Sequence, residues 1–560
     1  MIKDMATVMD IMRNNKVRSV RIGGVLSLPL LILSTPAFSA VDVIPSLTLE
    51  THAYRLKAAD NGTDRGLAQT LAPGVSLTYD NSWLQSAFNV EQKAVIYRDE
   101  QRKNESYTDF RLTNRASLLS DQLSLRLGAG QSYRAATSNV SRYVDEITAG
   151  GDMAKVQTRD FGAGYRFDPY IWLNGFVDVN ASKASTDRSV SVLFDDDPFA
   201  DTGIDNEILS GSAEIKSRSR ASKFFYGFRA NGLKTSRELG EDLYNRRGNG
   251  VIGVPFFWRV AMIAQGSFES NSGLVSTNPQ FANYRSFQSV GGGFEWNISD
   301  RSWWNVTYNK INNFLGESEY LGTQFNFQPS RRTKLSGSLD RRFFGRSAEL
   351  SGSYSLKRLT MAVQVSDTVN SLLALNAADA EFGLFVCPPG VTPGLASCFQ
   401  PPTAQYRPQP GERYYNIQLP GEDLNDALVV RRAVNYNLGY AFSRLKLQLQ
   451  LGERRDIYLE QDAELQDRTA SLNANWQLSK RNSLTATSSY SKLKFDGDDG
   501  LGNRFGNRQG TQASNSLSFN RKINPQLTAG LTARHTEIDY QGRELDYQEN
   551  RLSFDIKFNF

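Results

Sequence analysis

Histidine is almost missing from this sequence, at His52 and His535 only, and cysteine occurs only at Cys387 and Cys398. So few nitrogen and sulfur ligands exclude a Cys/His metal centre, which needs about three or four clustered donors. No cofactor is expected. The two cysteines bracket the stretch CPPGVTPGLASC. Outside the cytoplasm that spacing suits a disulfide closing a small loop; two free thiols are the other reading. Past residue 40 no apolar run approaches the roughly 20 residues a transmembrane helix requires, and no helical period is sustained. A cationic excess is missing too. The formal net charge is +5, but residues 1–40 carry Lys3, Arg13, Lys16, Arg18 and Arg21 against Asp4 and Asp10, leaving +2 for the rest. A nucleic-acid binder needs a basic face, so no nucleic-acid partner is expected.

The N-terminal stretch has a purpose of its own. Basic residues Arg13 to Arg21 precede the apolar run Ile22 to Leu33, and Pro36-Ala37-Phe38-Ser39-Ala40 follows. The run is too short to span a bilayer. With small residues at Ala37 and Ser39 it reads as a signal peptide over 1–39, and residues 40–560 are the mature chain.

After that the sequence has one rhythm. Leu123, Leu125, Leu127 and Ala129 alternate with Ser124, Arg126 and Gly128. Leu445, Leu447, Leu449 and Leu451 alternate with Lys446, Gln448 and Gln450; Leu527, Ala529, Leu531 and Ala533 alternate with Thr528, Gly530 and Thr532. Successive side chains of a strand point to opposite faces, so one face is apolar and the other polar or small. A mean hydropathy of -0.44 fits a barrel in which every second residue meets lipid. Short connections recur at 80–82, 120–121, 168–169, 219–222, 254–255, 299–301, 329–331, 357–358, 443–444, 479–482 and 524–525. Longer polar loops, such as 135–153, 185–206, 270–283 and 496–510, lie between them. Short periplasmic turns and long extracellular loops mark outer-membrane barrels. Eleven turns with both termini periplasmic predict an all-β, antiparallel up-and-down transmembrane barrel of about 24 strands (22–26) in a Gram-negative outer membrane.

Two further patterns agree. All seven tryptophans (Trp83, Trp172, Trp258, Trp296, Trp303, Trp304 and Trp476) lie within a few residues of a short turn. Indoles favour the headgroup level, so these are expected to form a periplasmic aromatic girdle. The chain ends with Leu552, Phe554, Ile556, Phe558 and Phe560 on one face and Arg551, Ser553, Asp555, Lys557 and Asn559 on the other. This resembles the signal read by the barrel-assembly machinery, an expected partner beside outer-membrane lipid and lipopolysaccharide.

Ile44-Pro45-Ser46-Leu47-Thr48-Leu49-Glu50-Thr51, Ala72-Pro73-Gly74-Val75-Ser76-Leu77 and the run from Ser106 to Gly130 resemble a family of outer-membrane proteins associated with the PEP-CTERM/exosortase system. The resemblance covers roughly residues 41–135. It implies a role in exopolysaccharide production or export, with the polymer and its export components as partners. It supplies no catalytic residues.

Alternation assigns a set of charges to the lumen: Glu91, Lys93, Asp109, Arg111, Arg115, Arg126, Arg229, Lys334, Asp340, Glu349, Lys446 and Lys557. They either form a ladder that guides an anionic polymer or pair across neighbouring strands. His535 shares a face with Glu537 and Asp539, but a polar rim residue is the expected reading and no catalytic residue is assigned. Barrels this large tend to be plugged. The Pro-rich segment 370–425 is expected to fold into or over the mouth. Two functions remain open: a pore or anchoring component for exopolysaccharide, and a general porin or purely structural barrel.

Overall fold

The computed structural model describes residues 41–58, 62–81, 83–98, 102–120, 122–135, 145–148, 153–167, 173–187, 205–217, 224–237, 242–272, 286–299, 301–313, 316–371, 384–387, 413–416, 428–459, 463–497, 508–540 and 547–560. The expected signal peptide, Trp172, Cys398 and most of 370–425 lie outside them.

Among the described residues, twenty-six strands follow in chain order. The first nine are β1 (Val41–Ala58), β2 (Gly62–Asp80), β3 (Leu84–Tyr97), β4 (Glu105–Leu118), β5 (Leu123–Ala135), β6 (Met153–Phe167), β7 (Asn174–Asp187), β8 (Asp205–Lys216) and β9 (Phe225–Arg237). Then come β10 (Leu243–Phe257), β11 (Val260–Ser272), β12 (Ser286–Ser299), β13 (Ser302–Asn313), β14 (Gly316–Ser330), β15 (Thr333–Arg342), β16 (Gly345–Ser355) and β17 (Leu359–Ser371). The short pair β18 (Leu384–Cys387) and β19 (Arg413–Asn416) is followed by β20 (Leu428–Ala441), β21 (Leu445–Tyr458), β22 (Ala463–Gln477), β23 (Asn482–Gly497), β24 (Arg508–Lys522), β25 (Leu527–Tyr540) and β26 (Tyr547–Asn559). Twenty-four of them form one antiparallel sheet in which neighbours in sequence pair. β17 pairs with β20, while among the described residues β18 and β19 pair only with each other. The sheet closes because β26 pairs with β1, from Ser46↔Asn559 to Ala58↔Tyr547.

The usual inside–outside rule is inverted. On β12 Val290 and Phe294 are exposed at 73% and 60%, whereas Ser289 and Glu295 are buried. On β13 Val306 and Tyr308 face out while Asn305, Thr307 and Asn309 face in. A water-soluble sheet would bury the first set. An apolar outer wall around a polar lumen is the solution for a barrel whose solvent is lipid. The chain is an integral outer-membrane β-barrel, set among lipid and lipopolysaccharide.

Register shows where the apolar belt stops. One outward row runs Trp476, Leu484, Phe519, Leu531, Phe554 across β22 to β26. The next row toward the loops is Ala474, Ala486, Leu517, Ala533, Leu552 and, on β1, Ala53. Two residues further, about 7 Å along a strand, the row becomes Leu472, Ser488, Asn515, His535, Asn550 and Arg55. Hydrocarbon gives way to polar side chains there, as expected at the outer headgroups.

Two expectations change. The connection expected at 254–255 lies inside β10, where Pro255 pairs with Ala261; the reversal comes at Trp258-Arg259, between Phe257 and Val260. Pro255 sits at a register shift near the strand end, a place where a residue without an N–H is tolerated. Likewise Pro329 is within β14, and the turn is Arg331-Arg332. Nor are all loop-side connections long: 59–61, 314–315 and 343–344 are as short as the turns. At the last of these Gly345 adopts φ +104°, a backbone state that glycine enters without steric cost.

Leu531→Arg, in mid-belt on the lipid face, is expected to destabilise the barrel by about 2–4 kcal/mol. Thr532→Lys, one residue away on the lumen face, should cost far less. Denaturant unfolding of the protein in lipid vesicles would compare the two, and equal losses would mean that the facing is misassigned.

Candidate functional site: the lumen and its loop-side constriction

Alternation places polar residues inward, and register decides which of them meet. Lys93 Nζ lies 3.6 Å from Asp109 and 3.9 Å from Glu91. Arg126 on β5 reaches past β6 to Asp178 on β7 at 2.7 Å. Arg229 Nε donates to Glu214 Oε2 at 2.9 Å, and Lys216 shares the same carboxylate at 2.5 Å. Asp340 accepts from Tyr320 Oη at 2.7 Å. Much of the lumen charge thus pairs locally. Arg115, Lys334, Lys446 and Lys557 have no carboxylate within 4 Å among the described residues, and Arg111 stands beside Gly130 on the inner wall.

Several contacts join strands that are not neighbours. Arg247 on β10 approaches Glu349 on β16 at 3.6 Å. Arg342 at the end of β15 donates through Nε to Glu269 Oε2 on β11 at 3.0 Å, and through Nη1 to the Asp367 carbonyl on β17 at 3.0 Å. Both members of the Arg342–Glu269 pair are buried. Next to them Phe343, in the β15–β16 turn, belongs to one apolar cluster with Leu243, Phe287 and Ile311 and with Leu428, Val430, Ile457 and Leu459. All of this lies at the loop side.

A second inward element sits at the seam. Residues 145–148, in the connection between β5 and β6, pack against the inner wall. Asp145 accepts from Arg551 Nη1 on β26 at 3.0 Å and from Arg534 Nη1 on β25 at 3.0 Å. Glu146 pairs with Lys93 on β3 at 3.0 Å. Tyr97 Oη donates to the carbonyls of Glu146 and Ile147, and Arg102 Nη1 donates to that of Ile147 at 2.9 Å. The Ile147 side chain is buried among Tyr54, Val95, Tyr97 and Tyr107. This latch spans the junction of the last strand with the first. Burial pushes the Asp145 carboxyl up, but Arg551 and Arg534 outweigh it and hold the group well below the usual carboxylate range.

No family model matches the chain, and no curated protein matches it. Among solved structures it is similar to the siderophore receptor PirA from Acinetobacter baumannii, at 10% identity and TM-score 0.39, covering 93% of this chain and 80% of that one. It is also similar to the FrpB iron transporter from Neisseria meningitidis (F5-1 variant), at 9% identity and TM-score 0.41, covering 92% and 82%. A likeness at this level says nothing about cargo.

The remaining expected residues fall as follows. Trp83, Trp258, Trp296, Trp304 and Trp476 are exposed on the outer wall near turns. Trp303 is a correction to the girdle: Trp304 pairs with Trp296 on the outer face, so alternation turns Trp303, opposite Asn297, to the lumen. Leu552, Phe554 and Phe560 are exposed outward, Ile556 and Phe558 half-buried beside them, and the Phe558 and Phe560 rings stack at 6.3 Å. Cys387 ends β18, but its side chain and the whole of Cys398 lie outside the described residues.

Both histidines have wall partners. His535 faces outward, its Nδ1 2.9 Å from Asn550 Oδ1 and its Nε2 3.9 Å from Glu537. Its outward neighbours along β25 are Ala533 and Glu537, so no hydroxyl nucleophile flanks it there. His52 faces inward, with Nδ1 2.8 Å from Ser553 Oγ and Nε2 3.2 Å from Glu50. The latch residues Asp145, Glu146 and Ile147 and the His52 network were not singled out from sequence. Their partners sit up to 501 positions away, and a polar loop shows no inward bias in its composition.

Asp145→Asn should free the latch, with a loss of about 1–3 kcal/mol for partly buried hydrogen bonds to a charged group and a rise in solute leakage through reconstituted barrels. Because the folded Asp145 carboxyl lies below its unfolded value of about 3.9, its contribution is fully present above that value and lost as pH falls through the folded one. Leakage of the wild type should therefore be flat from about pH 8 to 5 and rise only in strong acid. A rise near neutrality would refute the assignment.

Proposed function

We propose that this barrel is a constricted outer-membrane conduit for polar cargo, serving exopolysaccharide production or export. One observation carries the conduit reading: ion pairs and an inward segment link non-adjacent strands at the loop side of a polar lumen. A purely structural barrel needs no such cross-lumen contacts. A barrel of this strand number that merely stayed open would breach the permeability barrier. The exopolysaccharide assignment rests on the family resemblance of residues 41–135. The general-porin reading is favoured by the local pairing of lumen charge, which suits small solutes of either sign.

Single-channel recording in planar bilayers decides between them. The wild type is expected to be silent or to open rarely, and deletion of 372–427 or Asp145→Asn to give a large conductance. Steady conductance in the intact protein would establish the porin reading. Silence in every form, with folding shown by heat-modifiable mobility, would leave a structural role.

A further inference from the structure

Charge is distributed unequally between the two ends. The eleven turn-side connections contain twelve Lys or Arg and three Asp. The loop-side connections contain ten Lys or Arg and twenty-five Asp or Glu. Adjacent cations recur in the turns, at Arg331-Arg332, Lys357-Arg358 and Lys480-Arg481, all exposed. Phosphates of the inner leaflet would account for a basic rim, but not for the lumen wall behind it. There Arg115, Arg166, Lys334, Lys446 and Lys557 face inward within a few residues of the turns, and among the described residues none has a carboxylate within 4 Å. Lipid outside the barrel cannot reach them. At the loop side the pattern reverses, and Lys93, Arg247, Arg342, Arg534 and Arg551 each hold a carboxylate. Acids at the turn-side lumen are fewer. Asp178 and Glu214 are engaged by Arg126, Lys216 and Arg229, and Glu295 is buried in the wall, which leaves Asp42 and Asp555.

We propose that the turn-side mouth is a cationic vestibule that collects an anionic polymer, such as a carboxylated or sulfated polysaccharide, from the periplasm. The inference rests on the conduit reading and adds the sign of the cargo and its side of entry. A polyanion is drawn to the basic rim, meets unpaired cations on the wall, and is repelled by acidic loops at the far end. Attraction at the turn side and repulsion at the loop side favour capture from the periplasm over capture from outside.

The test adds dextran sulfate to one side of a planar bilayer holding the Asp145→Asn barrel. Block from the turn side is expected, with none from the loop side and none by uncharged dextran. Arg115→Gln/Lys334→Gln/Lys446→Gln/Lys557→Gln should weaken it about tenfold or more, and raised salt should weaken it further. Block that survives this variant but is lost on neutralising Arg331, Arg332, Lys357 and Arg358 would overturn the lumen site in favour of a surface rim. A conducting barrel that no polyanion blocks would overturn the proposal while leaving the conduit intact. If no form conducts, the conduit fails. Binding of dextran sulfate to the wild-type protein in micelles then reads the same contact, and its absence would overturn the vestibule as well.

Discussion

Everything in this molecule depends on one backbone ladder, the pairing of β26 with β1. Inside hydrocarbon each unpaired N–H or C=O costs several kcal/mol, and only closure removes both sheet edges at once. That requirement puts the last residues of the chain beside the first strand, where Phe560 N donates to the Pro45 carbonyl. It also draws the side-chain contacts of the seam together. His52 reaches Ser553, and the latch ties β3 to β25 and β26. These contacts bridge the junction that forms last in sequence order, and they are held by partly buried charge. Buried ion pairs are weak evidence for net stability but strongly penalise a wrong partner. A seam that closes in one register out of many is a place where that penalty is useful.

The fold was legible because its signals are local. Period-two alternation needs only neighbours in sequence, and the C-terminal strand shows it over ten residues. Turn signals are similarly local, and eleven short connections lead to the strand number. Legibility failed where two local rules compete. Pro255 reads as a turn because proline ends ladders, yet a register shift accommodates it inside β10 and the reversal waits for Trp258. Adjacent tryptophans at 303 and 304 both read as girdle, yet alternation permits only one of them.

The site was legible in facing but not in partnership. Alternation suffices to say that Arg126 and Arg229 point inward. It cannot say that Arg126 crosses a strand to Asp178, or that Arg342 meets Glu269 across three. Such contacts depend on wall curvature and on where strand ends stop, which no short window contains. The latch was hidden for a related reason. A loop rich in polar residues looks alike whether it projects into solvent or folds back, and only the pocket of Tyr54, Tyr97 and Tyr107 receiving Ile147 distinguishes the two.

Perimeter and permeability pull in opposite directions in a barrel of 24 strands. Strand number fixes circumference, so the aperture can be reduced only by what projects inward. Here the inward elements gather at the loop side, where the Arg342–Glu269 pair is buried and the latch pairs are partly so. The turn side keeps Arg115, Arg166, Lys334, Lys446 and Lys557 without a carboxylate within 4 Å among the described residues. A pair spends its field on its partner, whereas an unpaired charge facing a wet lumen acts over about 8–10 Å at physiological salt. The two ends of one lumen are thus differently equipped, one to hold a constriction shut and the other to act at a distance on what approaches it.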